Sequence, residues 1–283
     1  MSRSDGKKLK SLSAFEKIIP HIMTRRSDAQ VFSKQIIVTD TIDKYIQEKQ
    51  EQGIRLTYMH IFISIYVRLL AQRPKLNRFV MNNRLYARKG IFISMAIIRR
   101  SPNGNSEETT VKFPFTGHEN IFEIADIVNR IIAESKPSGK TNNTDELAEK
   151  IMSLPHGIVK ILVGLLKWMD RHNLLPQAMI EASPFHTSLF FTYLKSIKLD
   201  YIYHHIYDFG TTGIFAALGK RKQMPIVEHG AIVIKNCCEI GYVLDERICD
   251  GLYFSYSFKL MQKYLDNPYL LEERLEKIAE DVG

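Results

Sequence analysis

The segment Asp245-Glu246-Arg247-Ile248-Cys249-Asp250-Gly251 gathers charged side chains at one turn. It follows the strand-like run Ala231–Leu244 and precedes a segment with helical spacing, Leu252–Leu265. A strand that ends in charged residues and turns on Asp-Gly into a helix sets polar groups at an exposed edge, where a rigid scaffold holds them for function. The same residues also read as a surface turn in which Asp250 caps the following helix. Two histidines, His204 and His205, stand in the aromatic stretch Tyr201–Tyr207. An imidazole, with an ordinary pKa of ~6.5, is matched to proton transfer near neutral pH. Both equally read as strand or loop histidines with local hydrogen bonds, and His229, beside Glu228 and Gly230, is weaker still. Of the three cysteines, Cys237 and Cys238 are adjacent. No paired metal spacing exists, and the odd count argues against a disulfide framework. Gly139-Lys140 is not a phosphate-binding loop, because the upstream glycine at the required spacing is absent.

The elements that would position these residues read as mixed α/β. Residues 1–12 are polar and are expected to be mobile. Helical spacing runs from Ala14 to Met23, a strand is expected within Ala29–Asp40, and Asp40-Thr41 caps a helix through Gln52. Thr57–Ala71 is apolar over helical length and predicts a buried helix, broken at Arg73-Pro74. The Asn82-Asn83 pair between short apolar runs predicts a hairpin, followed by strands at Ile91–Ile98 and Thr109–Phe115, with a polar turn at Ser101–Ser106 between them. Ile121–Ser135 is amphipathic. Lys136–Thr144 reads as a loop, and Asp145–Leu154 and Gly157–Arg171 as two helices parted by Pro155. The second is apolar around most of its girth, which predicts a core helix; its Lys160, Lys167 and Arg171 leave a membrane or partner face as the alternative. Strands are expected to concentrate after residue 185, beginning with Thr187–Tyr193, which carries Thr192, and continuing with Ile214–Lys220.

Length and charge bound the rest. A chain of 283 residues with 45% hydrophobic residues is long enough for one large domain or two small ones. A net charge of +8 favours anionic partners, but the basic residues are scattered, so nucleic-acid binding is not expected. The polar start lacks a signal-peptide core, and no apolar run reaches the ~18 residues of a membrane span. With the cysteine usage, this predicts a reducing cytoplasm.

The order of features resembles the CoA-dependent acyltransferases, the family of chloramphenicol acetyltransferase and the dihydrolipoamide acyltransferase catalytic domain. Pro74-Lys75-Leu76-Asn77 resembles the family's Pro-x-Leu-Asn, Phe191-Thr192-Tyr193-Leu194 its Ser-Asn-Leu-Gly segment, and Asp245–Gly251 its Asp-His-Arg-x-x-Asp-Gly turn. The likeness spans about residues 14–275, with a helical insertion around 150–185. It implies one catalytic domain over residues 13–283, without a lipoyl or subunit-binding domain, in a homotrimer with sites at subunit interfaces. The cosubstrate would be coenzyme A or another pantetheine thioester, with no permanently bound cofactor and no metal. Thr192 would then donate to the oxyanion, and Arg247, Asp250 and Gly251 would be structural, Asp250 through an ion pair and Gly251 by permitting a tight chain path. The base position holds Glu246 where the family has histidine. A carboxylate near ~4.3 is a poor base for a thiol near ~8.5 unless burial raises it. His204 or His205 would supply the imidazole from another wall. The alternative is a catalytically inactive homologue that binds a ligand or serves assembly.

Overall fold

The computed structural model describes residues 3–100, 106–135 and 152–282. The loop expected at Lys136–Thr144 and most of the helix expected at Asp145–Leu154 lie outside the described residues, as does all but Ser106 of the turn expected at Ser101–Ser106. In chain order the described elements are β1 (Gly6–Lys8), α1 (Ala14–Ile22), β2 (Gln30–Val38), α2 (Asp40–Glu51), α3 (Tyr58–Gln72), β3 (Arg78–Met81), β4 (Arg84–Arg88), β5 (Ile91–Arg100) and β6 (Ser106–Phe115). There follow α4 (Ile121–Ser135), α5 (His156–Arg171), α6 (Gln177–Ala182), β7 (Leu189–Tyr193), β8 (Ile214–Leu218), β9 (Lys222–Glu228), β10 (Ala231–Asp245) and α7 (Gly251–Asp266). Strands thus do not concentrate after residue 185: β1 to β6 all precede it, β2 to β6 where the sequence predicts strands and β1 within the segment expected to be mobile.

The main sheet is mixed and seven-stranded, in the order β6-β5-β7-β8-β10-β2, with β9 pairing the first half of β10. The β5–β7 and β7–β8 pairings are parallel; the others are antiparallel. Helix α3 lies against one face of this sheet. Its Phe62, Tyr66 and Leu70 are buried together with Ile93, Phe191, Ala216 and Tyr242 in the main core. A helix apolar on all sides suits that place. The smaller sheet, β1-β4-β3, is built on the expected hairpin. Asn82 and Asn83 have φ of 50° and 55°, the left-handed pair that a two-residue hairpin turn demands and that asparagine tolerates.

Two expectations are corrected. The start of the chain is docked: β1 pairs with β4, and Leu9 and Leu12 pack on Val80 and Leu85. Arg3 is buried, with Nε 2.8 Å from Asp5 and Nη2 2.8 Å from Asp170. Asp5 is local, but Asp170 lies 167 residues along the chain, which local polarity does not reveal. Helix α5 is not a core helix either. Val159, Leu162, Leu166 and Met169 are half-buried, whereas Ile158, Ile161, Leu165 and Trp168 are exposed, Ile161 at 71%. Two apolar stripes run along the helix, and only one finds protein.

Candidate active site

At its end, strand β10 delivers Asp245, 1% exposed, into a clamp of arginines. Arg247 binds its carboxylate in bidentate fashion, Nε to Oδ1 at 2.8 Å and Nη2 to Oδ2 at 2.7 Å, and Arg26 Nε lies 3.9 Å away. Arg247 Nη1 also donates to the Met23 carbonyl, and the Asp245 and Glu246 amides donate to the Gly213 and Ala29 carbonyls. Burial lowers the Arg26 pKa to about 10, opposed by the attraction of Asp245. A rigidly held turn therefore carries Glu246 outward, exposed and with no ion pair among the described residues.

The buried anion of this turn is Asp245 and not Asp250. Asp250 is exposed, and its Oδ1 accepts from the Tyr253 amide at 2.8 Å as the N-cap of α7. A helix start has unsatisfied amides, and a short carboxylate placed there is drawn to them. Gly251 is the first residue of α7, and a Cβ there would meet nothing within 4 Å, so the tight chain path expected of it is absent. Arg247 is buried in the turn as a clamp.

Thr192 lies half-buried on β7, paired to Ala217 of β8, which pairs to Gly241 of β10. Strand alternation puts it on the face opposite Phe191, whose ring meets Tyr66 of α3. This second face carries the cluster Phe190, Phe215 and Val243 together with Ile206. The segment 199–207 crosses it as extended chain without ladder pairing. Two glycines make that crossing possible: a Cβ on Gly219 would lie 2.5 Å from the Tyr201 nitrogen, and one on Gly241 would lie 2.2 Å from the Ile202 oxygen.

His204 is thereby laid flat on Phe215, ring centroids 4.1 Å apart at 6°. Phe215 is the diagonal neighbour of Thr192 across the β7–β8 pair, so the ring on which His204 lies and the Thr192 side chain share one face of the sheet. The His204 Nδ1 lies 2.9 Å from the His205 carbonyl oxygen, which only accepts; Nδ1 therefore carries the proton and Nε2 is left as an acceptor. His205 is exposed and stacks on His204 at 4.6 Å. At the end of β7, Thr192 also borders a cleft of about 550 Å³ whose apolar lining, Met59, Met95, Ile97 and Ile132 with Asn129, belongs to the α3 side of the sheet and not to the His204 face.

Glu246 does not meet these residues within one chain. Thr192 is in register with Gly241, and Asp245 is four residues farther along β10, roughly 13 Å in an extended strand. His229 sits at the β9–β10 turn with φ of 50°. Sequence reasoning did not single out His186. It is buried, its Nε2 3.1 Å from Asp170 and its Nδ1 2.8 Å from Ser183; burial lowers its pKa, opposed by the attraction of Asp170. Lys112 was also passed over: its amine donates to the Ile180, Glu181 and Ser183 carbonyls at 2.9, 3.3 and 3.2 Å. Burial, then Arg88, pushes Lys112 down to about 7. Both tie the end of the helical stretch to the sheet, and neither has a local motif that reveals it. The three cysteines are free and buried, and burial pushes Cys238 up to about 12. No cluster of metal ligands occurs among the described residues, and no described helix is long and apolar enough to cross a membrane.

No protein-family model matches the sequence, and no curated protein matches it. Solved structures do. The cubic core of the pyruvate dehydrogenase multienzyme complex aligns over 94% of each chain with a TM-score of 0.57 and 11% identity. The dihydrolipoamide acetyltransferase of Azotobacter vinelandii, whose description names a serine, a histidine and an asparagine in its catalytic mechanism, gives 0.55 and 12% over 94% of each chain. Chloramphenicol acetyltransferase gives 0.55 and 13% over 92% of this chain and 99% of its own. The chain therefore has the mixed α/β fold of the CoA-dependent acyltransferases, with the helical stretch expected at 150–185 present as α5 and α6.

Proposed function

We propose that the protein transfers an acyl group between a CoA or other pantetheine thioester and a thiol or hydroxyl acceptor, as a homotrimer in a reducing cytoplasm. The observation that carries the reading is the juxtaposition, on one sheet face, of the Thr192 hydroxyl position with a His204 ring whose Nε2 is free to accept. In the reaction, His204 Nε2 takes the acceptor's proton as the acceptor attacks the thioester carbonyl carbon. The oxyanion accepts a hydrogen bond from the Thr192 hydroxyl, an interaction that strengthens as charge develops. Collapse breaks the carbon–sulfur bond, and the departing thiolate regains the proton. Glu246 stands where the family's turn carries histidine. Because it faces outward, far from Thr192 of its own chain, it would act at the site of an adjacent subunit, orienting a substrate group or a protonated imidazole. A carboxylate is the weaker acceptor of a thiol proton.

The test is release of free thiol from a panel of acyl-CoA donors with thiol and hydroxyl acceptors. Turnover with at least one donor is expected, falling by about 10²–10³ in Thr192→Ala and largely kept in Thr192→Ser. Absence of turnover with every donor would overturn the reading.

A further inference from the structure

A second cleft, of about 440 Å³, opens between the Thr24–Arg26 segment, the hairpin turn at Asn82-Asn83, the second half of α5 and Asp208-Phe209. Five cationic side chains line it, Arg25, Arg26, Lys167, Arg171 and Arg247, against the two carboxylates Asp170 and Asp208. The carboxylates are already engaged. Asp170 faces inward to Arg3 and His186, and Asp208 Oδ1 accepts from the Arg26 amide at 2.9 Å. Arg26 and Arg247 are held by Asp245 and by backbone carbonyls, yet Arg26 Nε is buried with no hydrogen-bond acceptor. Arg25, Lys167 and Arg171 are exposed and have no carboxylate partner among the described residues. Arg171 complements the carbonyl end of α5, which explains one cation. Lys167 lies a turn earlier and Arg25 on a separate segment, so that account does not cover them. Trp168 stands in the same lining, 51% exposed, with one side against His172 at 4.6 Å. Unpaired cations beside an open indole combine the two chemistries a nucleotide presents: anionic phosphate oxygens and a flat base.

We propose that this cleft binds a nucleoside phosphate, its phosphates at Arg25, Lys167 and Arg171 and its base against Trp168. The ligand has two sources with the same chemistry, the nucleotide end of CoA or a free nucleotide. The site lies on α5 and does not depend on acyl transfer, so it is tested by binding alone.

Trp168 is the chain's one tryptophan, so its fluorescence reports the cleft directly. Titration with ADP and with CoA is expected to quench it. Lys167→Ala combined with Arg171→Ala, both exposed, should weaken both ligands at least tenfold with an unchanged circular dichroism spectrum. By calorimetry, Trp168→Ala should weaken ADP at least threefold and leave inorganic pyrophosphate within twofold. CoA binding tenfold tighter than ADP assigns the cleft to the cosubstrate, and equal affinities assign it to a free nucleotide. The proposal is overturned if neither ADP nor CoA binds, if the double variant binds as wild type, or if a short RNA binds while ADP and CoA do not.

Discussion

Asp245 and Glu246 are adjacent in sequence and differ in nearly every physical respect. Asp245 neutralises two buried guanidinium groups, so Asp245→Asn leaves Arg26 and Arg247 without their counter-charge. Urea unfolding should show a loss of about 3–5 kcal/mol. Glu246→Gln should stay within about 0.5 kcal/mol of wild type in the same assay, because the side chain is exposed and unpaired. The two histidines divide in the same way. His204→Asn removes the ring on Phe215 and should lower thioester turnover by about 10²–10⁴, whereas His205→Asn, at an exposed ring, should leave kcat within twofold. Equal losses in both would remove His204 from the mechanism.

Elements place these residues through a few close contacts. The 199–207 segment lies on the sheet only because Gly219 and Gly241 leave room, so Gly241→Ala must displace it. Stability should fall by about 1–3 kcal/mol, and turnover should fall with it as His204 moves. Helix α1 is anchored by a capping box in which the Ser13 amide donates to Glu16 at 3.0 Å. Burial would raise the Glu16 pKa, but the Ser13 amide, Arg78 and Lys75 outweigh it and hold the carboxyl at about 2, against an ordinary 4.5. A carboxyl whose folded pKa is depressed stabilises the fold above its unfolded value and loses that contribution as pH falls through the folded one. Glu16→Gln should therefore cost roughly 1–2 kcal/mol at pH 7, and the difference should vanish as pH falls from 4.5 towards 2. A thermal-melt series across that range checks it. The cap, the Asn-Asn turn and α3 were legible because each depends on residues a few positions apart. The burial of α5 was not, since its two stripes are equally apolar and only the neighbouring elements choose between them.

At the scale of the molecule, apolar surface is left uncovered. Edge strand β2 exposes Val31, Phe32, Ile36 and Val38, the β9–β10 hairpin exposes Val227, Ile232 and Ile234, and α1 exposes Phe15, Ile18 and Ile22. A long apolar edge is a template for pairing with another chain, and exposed apolar patches mark association surfaces. Light scattering should give a particle of about 98 kDa, three times the 32.7 kDa chain. A monomer at micromolar concentration would leave Glu246 and Thr192 on separate ends of one sheet and exclude the shared site. The sequence by itself determined the local pieces: the mixed α/β pattern, the hairpin, the buried helix, and the charged turn after a long strand. Tertiary structure alone decided that Asp245 rather than Asp250 is the buried anion, that the polar N-terminus docks, and that His204 shares a face with Thr192. These outcomes rest on contacts between residues tens to hundreds of positions apart, and neither periodicity nor local charge encodes which distant group will be the partner.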